Sequence, residues 1–300
     1  MIHKIEEIYN RIRLRPGRNM VLVNGVDEHS LEAAYLASEM GLVKVQVTGP
    51  AEEVRRICRK KGIDSALFDI IEAGNEEEAA LRAVRLVSSG HADFMMKGLI
   101  STDKYMRALL NKEFGMFRKG DVLTHVTLVE NDQYPKLLLV SDVAVIPYPN
   151  VTQKTAMINY LISTAKALGV NEPKVALIAP TEQILPVMPA CTESALLTEM
   201  GRKGYFPGGI VDGPMALDVA IDPESAHVKR VVSPVAGNAD CLLFHNIDAG
   251  NLFYKMSTKL CHSRQAAVVV GAKVPAVLSS RGDDSQTKLN SIALASLLSK

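Results

Sequence analysis

The sequence predicts an α/β protein built as two α/β domains with an interdomain cleft. Three observations point there. Short apolar runs alternate with amphipathic helical segments, glycine closes the helical segments, and 300 residues comfortably fill two domains of this kind. Strand–helix alternation with continuously apolar strands implies a parallel sheet covered on both faces, and a cleft between two such domains is a preferred ligand site.

Ile2, Ile5, Ile8 and Ile12 recur at helical spacing and predict an amphipathic first helix. Apolar runs at 20–23, 42–47, 68–71 and 94–96 predict buried strands. Between them, helices are expected over 31–40, 51–61 and 76–89, closed by Gly41, Gly62 and Gly90. The pattern changes after residue 120, where 122–130 and 136–145 read as two strands joined by the turn 131–135. A polar break with two prolines at 147–150 marks the expected domain crossing. Then follow a helix over 152–168 ending at Gly169, a strand at 175–179, and a second α/β series. Paired apolar stretches at 266–270 and 275–279 precede a last helix over 285–298. There is no internal repeat and no low-complexity tract.

Composition narrows the function. Net charge is +1, and no basic stripe suited to a phosphate backbone is visible; with 5% aromatics and no Trp, nucleic acid is not expected as a partner. The N-terminus has no apolar leader core, and no run approaches the ~20 apolar residues of a membrane span, so a cytoplasmic protein without a membrane partner is expected. Cys58, Cys191, Cys241 and Cys261 form no C-x-x-C pair and read as buried or idle thiols.

The common nucleotide loops, H-E-x-x-H and G-x-S-x-G are all missing. Four other segments stand out. At 95–102 a strand end, Lys97, Gly98 and the hydroxyls of Ser101 and Thr102 precede a helix. The carboxyl end of a parallel strand opens on a ligand crevice, and a helix N-terminus offers free N–H groups to a phosphate. The alternative is an ordinary β-to-α turn with Ser101 or Thr102 as cap and Lys97 solvated. At 279–285 the run SSRGDDS brings Arg281, matched to two phosphate oxygens, beside hydroxyls and carboxylates; the alternative is a polar turn with Asp284 or Ser285 capping the last helix. The stretches 211–218 and 234–240 pair small-residue turns with acids. Asp212, Asp218 and Asp240 have the ligand chemistry for Mg²⁺ or Mn²⁺, but turns and caps are the simpler reading. At 248–255, Asp248 could cap a helix that presents Asn251 and, one turn later, Lys255. His125 lies within an expected strand, as a ligand contact or as a satisfied core imidazole.

These segments, in this order, resemble the phosphate acetyl/butyryltransferase family. The matching stretches are MKGLISTDKYMRALLNKE (96–113), VLTHV (122–126), DGPMALDVAI (212–221), SPVAGNADCLLF (233–244), DAGNLFYK (248–255) and GAKVPAVLSSRGDDSQTKLNSIALA (271–295). The compact 300-residue form looks more like the butyryl branch. The resemblance implies an isocitrate/isopropylmalate dehydrogenase-like architecture. Its first domain would comprise 1–145 completed by 285–300, and a second, dimerising domain would comprise 146–284. It implies reversible acyl transfer between coenzyme A and inorganic phosphate, with CoA, acyl-CoA, acyl phosphate and phosphate as small-molecule partners. CoA is a substrate; no bound cofactor and no metal are expected, and the assembly is expected to be a homodimer or higher homo-oligomer. Ser280 corresponds to the family serine that stabilises the reacting centre, and Arg281 to the adjacent phosphate-binding arginine. Substrate contacts fall to Lys97, Ser101, Thr102, His125, Asn238, Asp240, Asn251, Lys255, Lys288 and Asn290.

One departure from the family matters. An aspartate several residues after the Ser-Arg pair is the thiol base proposed for the acetyl branch; Gln286 and Thr287 occupy that spacing here, and neither can serve. Asp283 is the nearest substitute. Competing readings are the same chemistry on acetyl-CoA, a metal- and NAD-dependent decarboxylating dehydrogenase of related fold, and a noncatalytic CoA binder.

Overall fold

The computed structural model describes residues 1–299 except Gly115, Lys119, Ser280 and Arg281, with Lys112 described by its backbone alone. It divides into two compact units. The first comprises Glu6–Asp121 with Ala266–Lys300, the second Met1–Ile5 with Val122–Gln265.

In the first unit α1 (Ile5–Arg13) leads into β1 (Arg18–Val23), α2 (Glu28–Glu39), β2 (Val43–Gly49), α3 (Ala51–Lys61), β3 (Phe68–Glu72), α4 (Glu76–Ser88), β4 (Phe94–Lys97) and α5 (Thr102–Leu109). Most of these helices start at a short polar side chain that accepts a backbone N–H of the first turn: Asp27 before α2, Asn75 before α4 and Ser101 before α5. The second unit follows with β5 (Thr124–Glu130), β6 (Leu138–Ser141), α6 (Val151–Ala167), β7 (Lys174–Ile178), α7 (Pro189–Arg202), β8 (Ile210–Met215), α8 (Leu217–Ile221), α9 (Pro223–Val228), β9 (Cys241–Leu243) and α10 (Ile247–Lys259). The chain then forms β10 (Arg264–Val270), β11 (Ala276–Val277) and α11 (Ser285–Leu298).

The sheet of the first unit runs in the order β3-β2-β1-β4-β11-β10. All neighbours are parallel except β10 and β11. From β1 the chain builds outward first through β2 and β3, then through β4 on the other side, so the order reverses between β1 and β4. In open α/β sheets that reversal point is where ligands bind. β4 is buried along its whole length, as its apolar run requires. α11 is buried from Lys288 to Leu297 and packs on α2, β4 and β11, burying Lys288, Asn290, Ser291 and Ser296 along with its apolar residues.

The second unit orders its strands β5-β6-β9-β7-β8, with the β5–β6 pair antiparallel and the rest parallel. Val140, Ala176, Leu242, Met215 and Val219 meet in its core. The fold is therefore α/β with mixed parallel and antiparallel strand pairing. No helix among the described residues is long and apolar enough to cross a membrane.

The units change at 5/6, 121/122 and 265/266, whereas the proline break suggested 145/146, with a return at 285. The reason is pairing. β5 and β6 form a hairpin whose second strand hydrogen-bonds to β9, so both belong with the later strands. β11 pairs with β4, so the return begins before the last helix. The hairpin strands are also shorter than the apolar runs, and of 275–279 only Ala276 and Val277 are paired.

Candidate active site

The carboxyl ends of β1, β2, β4 and β11 lie along one edge of the first unit and carry Asn24, Thr48, Lys97 and Ser279. Gly98 makes the approach of β4 to β1 possible. A Cβ there would sit 2.6 Å from the carbonyl oxygens of both Val23 and Asn24, and both are backbone atoms. The Gly98 N–H donates to Val23 O at 2.9 Å, and Leu99 N–H donates to Asn24 O at 3.0 Å. Asn24 itself adopts φ 51° and donates its side-chain amide to Leu99 O. Gly98→Ala is expected to cost about 1–3 kcal/mol through this overpacking, read as a lowered midpoint of chemical unfolding.

Lys97 is 5% exposed, so it is a buried lysine rather than the solvated one an ordinary turn would leave. Its ammonium donates to Gly98 O at 3.4 Å. Ser101 caps α5, accepting Lys104 N–H at 3.2 Å, and Thr102, exposed, is the first helical residue. The cap and the strand-end lysine therefore coexist in one turn.

Ser280 and Arg281 lie outside the described residues. Their flanks are fixed. Ser279, at the end of β11, is buried and accepts a hydrogen bond from Lys288 Nζ at 3.0 Å. Asp284 caps α11 by accepting Thr287 N–H at 2.7 Å, and Asp283 is half-buried. Lys288 is 4% exposed; burial pulls its pKa below the ordinary lysine value, against the attraction of Asp27, Asp283 and Asp284. Asn290 faces elsewhere. It accepts from the Tyr9 hydroxyl and from Gln286 Nε2, the latter at 3.0 Å, so its amide ties α11 to α1.

The second unit gathers a different group at its carboxyl edge. Because β5 runs antiparallel to β6, the start of β5 lies beside the end of β6. Asp142, 2% exposed, accepts the Thr124 hydroxyl at 2.8 Å and the N–H groups of His125, Ala144, Val145 and Ile146 at 3.1, 2.7, 2.9 and 3.3 Å. His125 is buried, with Nδ1 3.2 Å from the Thr127 hydroxyl. α10 holds the loop after β6 from the other side. A Cβ on Gly250 would come within 2.1 Å of Asp142 O, and Asn251 Nδ2 donates to Val143 O at 3.0 Å. His125 and Asn251 are thus brought to one edge through Asp142 and Val143. Lys255 is exposed, with its ammonium 4.7 Å from the Tyr254 ring centre. The cap of α10 is Asn246, not Asp248, which accepts the Tyr148 hydroxyl instead.

Asn238 and Asp240 stand at the opposite edge, before β9 and beside the start of β7. Lys136 Nζ donates to Asn238 O, Asn238 Oδ1 and Asp240 Oδ1 at 2.6, 2.8 and 2.7 Å, and Asp240 Oδ2 accepts Lys174 N–H at 2.9 Å. This is a clamp at the amino ends of the strands, away from the edge where α/β sheets bind ligands. Asp218 pairs with Lys229 at 2.9 Å, so Asp212, Asp218 and Asp240 do not converge. Among the described residues no three metal-ligating side chains cluster.

Sequence reasoning missed several groups. Asp142 follows a strand without any motif to mark it. Lys154, buried on α6, donates to Glu193 and to His245 Nδ1, the latter at 2.8 Å, and burial lowers the pKa of both Lys154 and His245. Asn24, Thr48 and Asp27 lie in the weakly diagnostic first ninety residues.

Comparison with known proteins places these motifs in a family. Residues 75–296 match the model described as phosphate acetyl/butaryl transferase. The chain is 40% identical to the phosphate butyryltransferase of Clostridium acetobutylicum over 298 residues, covering 99% of both proteins. It is 37% identical to the phosphate acetyltransferase of Thermotoga maritima over 281 residues, covering 94% of this chain and 95% of the relative. A crystal structure of a branched-chain phosphotransacylase from Enterococcus faecalis V583 superposes with a TM-score of 0.83 at 27% identity, covering 94% of this chain and all of that one.

Proposed function

The chain belongs to the phosphate acetyl/butyryltransferase family, and on that premise we propose that it interconverts butyryl-CoA plus phosphate with butyryl phosphate plus CoA. The observation that carries this is identity of 40% along essentially the full length of a butyryl enzyme. Acyl transfer between coenzyme A and phosphate is the activity common to the named relatives. The preference for a butyryl group is the finer part of the proposal. The acetyl reading has its own support in the relative at 37% identity.

In the acyl phosphate direction, the CoA thiol loses its proton and the sulfur attacks the acyl carbonyl carbon. The tetrahedral intermediate then expels phosphate, which departs with the electron pair of the broken C–O bond. The reactive species is the thiolate, so a base must take the proton, and the oxyanion and the leaving phosphate need preorganised positive partners. In this proposal Arg281 binds the phosphate bidentately, the Ser280 hydroxyl donates to the developing oxyanion, and Asp283 takes the thiol proton. Lys97, Ser101 and Thr102 supply cationic and helix N-terminal contacts to phosphate oxygens. His125, Asn251, Lys255 and Lys288 complete the proposed substrate contacts. Asn238, Asp240 and Asn290 shape the fold around them. Much of the acceleration comes from holding two substrates in line. Asp283→Asn is expected to slow turnover and alter its pH profile; near-normal turnover with an unaltered profile contradicts the assignment of the base.

We extend the proposal to a cytoplasmic homodimer formed through the second unit, with the isocitrate/isopropylmalate dehydrogenase-like architecture implied by the family. Exposed Leu252 and Met256 on α10 and Leu260 at its C-terminal cap, at four-residue spacing, support such an interface. The function is tested by phosphate-dependent release of CoA thiol from acetyl-, butyryl- and branched acyl-CoA. The butyryl substrate is expected to lead acetyl by about 30-fold or more in kcat/KM, because each of its two extra methylenes in a fitted pocket is worth about 1–3 kcal/mol. A lead for acetyl-CoA favours the second reading.

A further inference from the structure

We propose that Lys154 is a positioning residue for the second unit's share of the site: its ammonium, bonded to Glu193 on α7 and to His245 after β9, sets the start of α10 and with it Asn251. The inference rests on the acyl-transfer reading, in which Asn251 is a substrate contact, and adds a residue that no motif marks.

α6, α7 and α10 follow β6, β7 and β9, so their first turns stand at the carboxyl edge of the sheet. Lys154 lies in the first turns of α6 and is 2% exposed. Its ammonium donates to Glu193 Oε2 and to His245 Nδ1, the latter at 2.8 Å. His245 Nδ1 is 3.7 Å from Glu193 Oε2, so one cation serves two acceptors that come from different elements. Both partners are partly exposed, and Leu177, Ile178, Leu197 and Leu243 wall the group in.

From His245 the chain runs directly into α10. Phe244 N–H donates to Ser141 O at 3.0 Å, and Ile247 N–H donates to Pro147 O at 2.9 Å. Asn246 caps the helix by accepting Ala249 N–H at 3.1 Å. The first turn then meets the loop after β6. Gly250 leaves no room for a Cβ against Asp142 O, and Asn251 Nδ2 donates to Val143 O. A helix packed with so little clearance has one seat, and a displaced His245 moves it.

The arrangement also has a proton order. An ammonium has donors only, so Nδ1 accepts and the imidazole is neutral, with its hydrogen on Nε2. Burial, then the neighbouring ammonium, holds the His245 pKa below the ordinary histidine value. Burial lowers that of Lys154 too, against the attraction of Glu193. The competent form therefore exists above the pKa of His245 and below that of Lys154. It is lost as pH falls through the first, when imidazolium faces ammonium, and as pH rises through the second, when Glu193 loses its cation.

Other titratable groups on the packed elements are engaged elsewhere. Asp142 serves its five donors, and Asp248 on α10 accepts the Tyr148 hydroxyl. Glu199 and Arg202 pair with each other farther along α7, and Lys166 lies in the last turn of α6. Lys174 and Cys241 open β7 and β9 at the amino edge, and His125 in β5 faces the Thr127 hydroxyl.

The test uses the full-length enzyme with butyryl-CoA and phosphate. Lys154→Met is expected to lower kcat/KM for butyryl-CoA by about tenfold or more. Asn251→Ala should do the same, and the double variant should fall well short of the product of the two losses, because both act through one contact. His245→Asn keeps an acceptor where Nδ1 stands and does not titrate. It should stay within about threefold of wild type at neutral pH and lose the acidic limb that His245 imposes. Glu193→Gln removes the carboxylate that favours the protonated lysine, so the alkaline limb should move to lower pH. Unfolding midpoints measured alongside separate loss of the fold from loss of positioning; should Lys154→Met not fold, the profiles of His245→Asn and Glu193→Gln decide. Losses that multiply in the double variant, or pH profiles of His245→Asn and Glu193→Gln identical to wild type, would overturn the inference. A wild type that moves no acyl group sinks the functional reading and this inference with it. An active wild type beside a Lys154→Met variant of unchanged kcat/KM, destabilised or not, sinks the inference alone.

Discussion

Arg281→Ala is expected to lower kcat/KM for phosphate by about 10²–10³-fold, the loss typical when a preorganised partner of transition-state charge is removed. The phosphate bears its charge on nonbridging oxygens, two of which a guanidinium meets with parallel hydrogen bonds. Arg281→Lys keeps the charge without the fork and should recover only part of the loss. In sequence Arg281 falls between Ser279, which accepts a hydrogen bond from Lys288, and Asp284, which caps α11. Initial rates at varied phosphate and butyryl-CoA check it. Unchanged constants for both substrates would remove Arg281 from the site.

The largest expected loss of stability is at Asp142→Ala. Five donors converge on this one carboxylate: the Thr124 hydroxyl and the N–H groups of His125, Ala144, Val145 and Ile146. Removing the acceptor leaves backbone N–H groups without a partner in a buried turn. Each such orphan costs about 1–3 kcal/mol, of which water entering the gap recovers a part. The expected loss is about 4 kcal/mol, placing the substitution in the rare severe class. A thermal melt should show a fall on the order of 10 °C. The same carboxylate orders the start of β5 and the loop that Asn251 grips, so His125 loses its setting too. A melting temperature within about 2 °C of wild type would mean that the turn does not depend on Asp142.

Much of the fold could be read from periodicity. The helices over 51–61 and 285–298 lie where the sequence put them, and the first four strands match their apolar runs within a few residues. Those elements are governed by local signals: a polar cap, an apolar stripe, a glycine with positive φ such as Gly62. The domain crossing was not legible, because it depends on which strands pair. Two prolines at 147–150 announce a turn, but β6 hydrogen-bonds to β9 a hundred residues later, and no local pattern encodes that. The site shows the same division. Lys97, Ser101 and the 279–285 turn could be suspected because a strand end meets a helix cap within a few residues. Asn238 and Asp240 sat in an equally suggestive motif, yet Lys136 and Lys174 draw them to the amino ends of β9 and β7. Asn290 matched by position but belongs to a contact with Tyr9, 281 residues away in sequence. Motif membership located neighbourhoods; sheet direction decided which residues in them face the strand ends that bind ligands.

The central claim is that one acyl group passes directly from the sulfur of CoA to an oxygen of phosphate. It is tested most directly by measuring free thiol and acyl phosphate together in a single reaction of the enzyme with butyryl-CoA and phosphate. Equal amounts of the two products, both absent when phosphate is left out, are the expected result. Thiol released without phosphate, or thiol appearing with no matching acyl phosphate, would contradict it.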